Sequence, residues 1–214
     1  MRATRHLAGY TRKCVNEKVN TVKNFRQKLI DATFEEVYSC GYNGASLAKI
    51  LATAEVKKGS MYYYFSSKKE MVLAMIAEKI GYRLKSKWEK AETENTNIVD
   101  NIIAIFQDTK NWDLVNGCIL GNLLQEPLGR DKDFAKALNL ILEQWKEQLS
   151  QILRKAQDKN QLNKSVNTEA CATFIIAAIE GALLLTKKSN NTTDFEVCMG
   201  ELAFYLNNLR IDKK

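Results

Sequence analysis

Nine residues, Lys57-Lys58-Gly59-Ser60-Met61-Tyr62-Tyr63-Tyr64-Phe65, concentrate binding chemistry in this 214-residue chain. Two ammonium groups, a glycine and a hydroxyl lead, and three consecutive tyrosines follow. Read as a short helix, the run offers free N–H groups at its N-terminus, which suit phosphate. Gly59 removes a side chain where a groove wall would come close. Tyrosine hydroxyls can bond phosphates while their rings pack on sugar and thymine methyls. Successive residues point ~100° apart on a helix, so the three tyrosines cannot share one environment. Met61, Tyr64 and Phe65 are expected partly inward, and Tyr62 and Tyr63 outward. The competing reading is an aromatic core patch beneath a lysine-rich face.

The second residue with chemical promise is Cys118. Asn116 can cap a helix that places Cys118 in its first turn, and a helix N-terminus lowers a thiol's pKa. Against this stands the ordinary fate of cysteine, which is inert packing. The five cysteines (14, 40, 118, 171 and 198) show no C-x-x-C spacing, so neither a zinc site nor a redox dithiol is signalled. With no export signal in view, free thiols in a reducing cytoplasm are expected. A single histidine, His6, leaves little for metal or acid–base work. No phosphate loop, dinucleotide fingerprint or Ser-His-Asp set occurs, and single carboxylates such as Glu126 and Glu180 have no evident pair. An enzyme is therefore not expected, and no cofactor or metal is assigned.

The elements that must position these residues read as all-α. The chain has one proline, so little interrupts a helical pattern, and no run alternates as a half-buried strand does. Residues 1–20 show no clean period and read as a flexible basic arm, either reaching along DNA or an idle leader. From about Thr21, Val22, Phe25, Leu29, Phe34, Val37 and Tyr38 recur at helical steps. Gly41 can stop that helix. Ser46 is a candidate N-cap for a short helix, Leu47–Thr53. After the connector Ala54-Glu55-Val56 comes the second short helix, about Lys57–Phe65. Ser67 and Glu70 form a capping-box pattern opening a long helix, about 67–91. Further helices are predicted near 96–111, 116–126, 131–158, 167–188 and 193–209, the last with a second capping-box pattern at Thr193 and Glu196.

Charge supports a division of labour. Residues 1–69 carry 13 Lys and Arg against 5 acids, a net +8, while the remaining residues carry 19 against 20. A basic head on a neutral body suggests a polyanion partner. Two short helices joined by a three-residue turn inside that head have the layout of a helix-turn-helix.

The stretch from about 24 to 70 resembles the DNA-binding domain of TetR-family transcriptional repressors. The resemblance rests on Ser46 opening the first short helix and on Gly59, Ser60, Tyr62, Tyr64, Phe65 and Lys68 matching the family run. Glu55 departs from it, standing where a turn glycine is usual. The resemblance implies that Ser46 and Lys68 hold phosphates. It also implies that Lys58, Ser60, Tyr62 and Tyr63 lie in or beside the major groove, with Lys57 and Gly59 in the same site. The partner is then double-stranded operator DNA, bound by a homodimer, with a small-molecule effector releasing it. The run from Asn116 to Glu126 also resembles the Gly-Cys-x-x-x-x-Leu-x-x-Glu segment of the NemR-like, electrophile-responsive subgroup, where Lys187 takes the place of a lysine near the thiol.

The domain plan is therefore a 1–20 arm, a three-helix helix-turn-helix domain at 21–70, and a helical bundle at 71–214 for effector binding and dimerisation. Ala172, Ala177, Ala178, Gly181 and Ala182, with Leu183–Leu185, Phe204, Leu206 and Leu209, mark the last two helices as a dimer face. Tyr82, Trp88, Phe106, Trp112 and Trp145 can line an apolar effector pocket or simply fill the core. The apolar run 171–185 is broken by Thr173 and Glu180 and is too short to span a bilayer, so no membrane partner and a cytoplasmic location are expected. A helical interaction module without sequence-specific DNA binding is the remaining alternative.

Overall fold

The computed structural model describes the backbone of residues 5–93, 96–126, 128, 131–187 and 191–211, and within these the side chains from Phe25 onward. Every regular element among the described residues is helical, as expected. The chain divides into two compact units, Met1–Met75 and Ile76–Lys214.

The first unit is built on α1, Arg5–Gly44. The irregular arm expected over residues 1–20 is helical from Arg5 onward, because nothing in it stops a helix: there is no proline, and Arg, Lys, Leu and Ala are good formers. Residues 1–4, and the inward placement expected for Val22, lie outside the description. The helix breaks at Gly41 (φ 71°, ψ 174°), a conformation open essentially to glycine alone. Helix α2, Leu47–Ala54, is capped by Ser46, whose Oγ accepts from Lys49 N at 3.4 Å. It ends on Glu55 in the left-handed region (φ 57°, ψ 37°), a position a glycine would fill without strain.

Helix α3 is only Lys58–Met61, shorter than the predicted Lys57–Phe65. Tyr63 N bonds Ser60 O and Tyr64 N bonds Met61 O, so the tyrosines wind into a tighter turn. Aromatic residues gain little from the helical state, and so short a helix has no cooperativity to carry them. Helix α4, Lys68–Met75, opens with Ser67 Oγ accepting from Glu70 N at 3.2 Å. The return bond goes to Ser66 N at 2.7 Å rather than to Ser67 N. Leu29, Ile30, Phe34 and Val37 of α1 join Ile50, Met61, Met71 and Met75 in a sealed core.

In the second unit the long helix expected to reach residue 91 is interrupted. A π-helical turn, Ile76–Ile80, precedes α5, Gly81–Glu89. Then come α6, Ile98–Gln107, capped by Asn97; α7, Ile119–Gln125; α8, Lys132–Asp158, capped by Asp131; α9, Thr168–Thr186, capped by Asn167; and α10, Thr193–Asn208. The Thr193–Glu196 box does not form. Thr192 donates to Glu196 at 2.7 Å, and Thr193 Oγ1 turns to Asn191. Helix α8 packs on α5, α6, α7 and α9, and α10 packs on α9 and α6. Trp88, Phe106, Phe134, Trp145 and Phe195 fill the core between them. With its first residues included, α9 runs 19 residues at mean hydropathy 1.7, long and apolar enough to cross a bilayer on those two counts. Here its buried side serves as the seat of α8 and α10.

Candidate functional site

Around α3 the sequence sorts its residues as expected. Met61 and Phe65 are buried and anchor the run. Lys57, Lys58, Gly59 and Ser60 are exposed, as are Tyr62 (54%) and Tyr63 (76%), while Tyr64 is half-buried. A β-carbon at Gly59 would meet nothing within 4 Å, so that face is open on the chain's own side. Lys57 is the N-cap residue and makes no side-chain cap bond. Ser46 accepts from Lys49 N and donates its own N–H to Glu36 Oε1 at 3.1 Å, which leaves its hydroxyl proton to give.

Lys68 does something else. Its ammonium donates to Tyr42 O at 2.8 Å and Ala45 O at 2.9 Å and lies 4.6 Å from the Tyr42 ring centroid. Two of its three N–H groups thus serve the C-terminal end of α1, an internal capping role that stands beside the phosphate contact implied by the sequence resemblance.

In the second unit, the N-terminus of α7 gathers titratable side chains from several elements. Cys118, not Asn116, is the N-cap residue. Asn116 instead bonds Asp113. The thiol shares a crevice with Glu180 of α9, and burial raises its pKa well above the ordinary thiol value, with the Glu180 charge adding to the effect. Backbone N–H groups of Gly121 and Leu120 pull the other way, less strongly. The readily ionised thiol expected from the helix N-terminus is thereby overturned: desolvation beside a carboxylate outweighs the helix end.

Burial also raises the Glu180 carboxyl, against the opposing Cys118 hydrogen bond and Lys87 charge. Its Oε1 is buried without a hydrogen-bond partner. A β-carbon at Gly121 would overlap its Oε2, so glycine is what admits the carboxylate. Lys87 of α5 donates to Asn111 O at 2.6 Å and stands 3.5 Å from the Trp112 ring centroid. Lys187 does come to the thiol's vicinity: it donates to Asn122 Oδ1 at 2.6 Å and shares with Cys118 a crevice of about 10 Å³.

The aromatic set does not form one pocket. Trp88 and Phe106 are sealed in the core. Trp112 packs between Lys87 and Phe195. Tyr82 and Trp145 line an open groove of about 640 Å³ between α5 and α8. Sequence reasoning missed Lys87, Gly121 and the partnership of Glu180. The visible signals were an acid inside an apolar run and a glycine three residues after the cysteine.

Residues 29–75 match the model of the bacterial regulatory proteins of the tetR family, and residues 96–200 match the tetracyclin repressor-like C-terminal domain. A helix-turn-helix transcriptional regulator from the lacX 3′ region of Lactococcus lactis subsp. lactis is 31% identical over 183 residues, 84% of this chain and 91% of that one. The chain belongs to the TetR family. The transcriptional regulator AcuR of Cereibacter sphaeroides is 30% identical over 166 residues, 75% of each chain. The crystal structure of Escherichia coli NemR in its reduced form superposes with a TM-score of 0.75 at 26% identity, covering 83% of this chain and 94% of that one. The helix-turn-helix head and helical C-terminal domain expected from sequence are those of this TetR-family regulator.

The burial of Lys87 has a measurable consequence. Desolvation lowers its pKa from 10.5 to about 8, with Arg83 and Lys90 acting in the same direction and Cys118 and Glu180 against it. Between those values the unfolded chain holds a proton that the folded one has released, so stability rises with pH across that window. Urea unfolding is expected to show wild type gaining about 1–2 kcal/mol on Lys87→Met between pH 7.5 and 9.5. Parallel pH profiles for the two proteins would remove Lys87 as the source.

Proposed function

We propose that this TetR-family regulator is a homodimeric repressor that holds double-stranded operator DNA through α3 and releases it when a small molecule acts on the cluster around Cys118. The observation that carries the DNA reading is the exposure of Lys57, Lys58, Ser60, Tyr62 and Tyr63 around the buried anchors Met61 and Phe65. Phosphate contacts position a protein and base contacts specify its site. Salt-dependent, sequence-selective binding to the DNA upstream of its own gene tests this reading, with Lys58→Ala and Tyr62→Ala expected to change the preferred site. Equal affinity for all duplexes would leave only a polyanion-binding module.

The dimer reading rests on α9 and α10. Ala172, Ala182, Leu183 and Leu206 of the expected face are consumed by the protomer's own core. Phe174, Leu184, Leu185, Val197 and Phe204 remain exposed, beside exposed Ala177, Gly181 and Gly200. Apolar residues exposed together are the mark of an interface.

For the trigger, an effector shifts DNA affinity only through a difference in its interaction with two states. A tenfold loss needs ~1.4 kcal/mol, and an adduct in a crevice of about 10 Å³ has to move its walls. Electrophiles are expected to release DNA from wild type but not from Cys118→Ser, while substitutions of Cys40, Cys171 and Cys198 keep the response. If Cys118→Ser responds like wild type, the groove between α5 and α8, with Trp145 and Tyr82 on its walls, becomes the site of a non-covalent lipophilic effector.

A further inference from the structure

A buried thiol that stays protonated is a poor nucleophile, because the thiolate is the reactive form. The residues around Cys118 supply a way past this. We propose that Glu180 is the proton acceptor that lets Cys118 add to small α,β-unsaturated carbonyl compounds, an inference that rests on reading Cys118 as the effector site.

The geometry is that of a thiol–carboxylate pair. Cys118 and Glu180 line one narrow crevice at the N-terminus of α7, and each bears on the other's ionisation. One carboxylate oxygen lies against the α-carbon of Gly121, and the other is buried with no hydrogen-bond partner. The carboxylate is thus walled in by the chain, on the same crevice as the thiol. The charged groups facing the pair are Lys87 from α5, with Arg83 and Lys90 acting on that lysine, and Lys187 just past α9.

Charge balance then decides how the thiolate arises. A thiolate beside an ionised Glu180 puts two negative charges into one desolvated site, which the site resists. Moving the thiol proton onto Glu180 keeps the pair at a single negative charge, facing the ammonium groups of Lys87 and Lys187. The pair therefore titrates as a unit, and transfer within it opens the nucleophile without adding charge to the interior.

The addition balances without any oxidant or reductant. The sulfur lone pair forms the S–C bond at the β-carbon, and the C=C π pair moves toward the carbonyl as an enolate. The proton taken by Glu180 passes to the α-carbon, and Glu180 is again a carboxylate. The product thioether has no S–H, so the sulfur has no proton left to exchange with Glu180. The crevice of about 10 Å³, walled by Asn122, Leu183, Leu184 and Lys187, cannot take the added group without parting α7 from α9.

The test is the rate of adduct formation at Cys118 with methyl vinyl ketone, followed by intact mass from pH 5 to 9 on the folded full-length protein. Wild type should show a rate that levels off once Glu180 has ionised. Glu180→Gln should react at least tenfold more slowly at pH 7, with a rate rising in proportion to hydroxide. Removing the Glu180 charge alone would ease thiol ionisation, so equal or faster addition in Glu180→Gln overturns the proposal. Gly121→Ala displaces the carboxylate while keeping it in the chain, and should slow addition too. A wild-type rate there also counts against it. Unfolding cannot imitate the expected result, because an exposed thiol ionises and reacts more readily. If Cys118→Ser keeps the DNA response, the sensor reading falls. If it loses the response while Glu180→Gln adds at the wild-type rate, only the role of Glu180 falls.

Discussion

Phe204→Glu combined with Leu185→Glu is expected to leave a folded monomer whose operator affinity is lower by roughly 10²–10⁴-fold. The two side chains are 65% and 62% exposed in the protomer, so neither is needed for its core. Each large apolar side chain fully buried across an interface contributes about 1.5–3 kcal/mol, and a carboxylate in its place adds a desolvation penalty. The consequence for DNA is geometric. Helix-turn-helix dimers place two recognition helices about one duplex turn apart, roughly 34–36 Å. The second contact is then made at a high effective concentration, which a monomer forfeits. Sedimentation at micromolar concentration and an operator titration measure both halves of the claim. A double variant that remains dimeric and binds like wild type would move the interface elsewhere.

How far the sequence discloses these features depends on the range of the interactions. The all-α class, the anchors Met61 and Phe65, and the caps at Ser46 and Ser67 follow from local spacing and local hydrogen bonding, and they are legible. Where a tertiary partner decides, local reasoning falls short. Asn116 has the right chemistry for a cap, but Asp113 takes its N–H groups and Cys118 becomes the cap residue instead. The helix end does favour a thiolate, as the sequence suggests, yet burial reverses the outcome, with a carboxylate 62 positions along the chain adding to it. The tyrosine run reads as helix by its neighbours and winds as a turn, since nothing past Phe65 continues it. Part of the expected dimer face, Ala172, Ala182, Leu183 and Leu206, is legible as apolar but not as unavailable, because periodicity does not say which apolar side faces the protomer's own core.

The same limit governs Lys68, and it leads to a sharp expectation: Lys68→Ala should destabilise the first unit by about 1.5–3 kcal/mol, the range for hydrogen bonds to charged groups. Its ammonium closes the turn after α1 by donating to Tyr42 O and Ala45 O, and removing it leaves both half-buried carbonyls short of a donor. For a unit of this size a loss of that order lowers the melting temperature by on the order of 10 °C. Lys68→Arg should rescue only part of it, because a planar fork does not reproduce a point donor shared between two carbonyls. Lys58 makes the contrast. It is exposed at the head of α3, so Lys58→Ala should melt like wild type while reducing the slope of log affinity against log salt by about one. Thermal unfolding and a salt titration of operator binding on both variants separate the two roles. A Lys68→Ala protein that melts normally and loses one unit of salt slope would return Lys68 to the phosphate contact that the sequence resemblance implies.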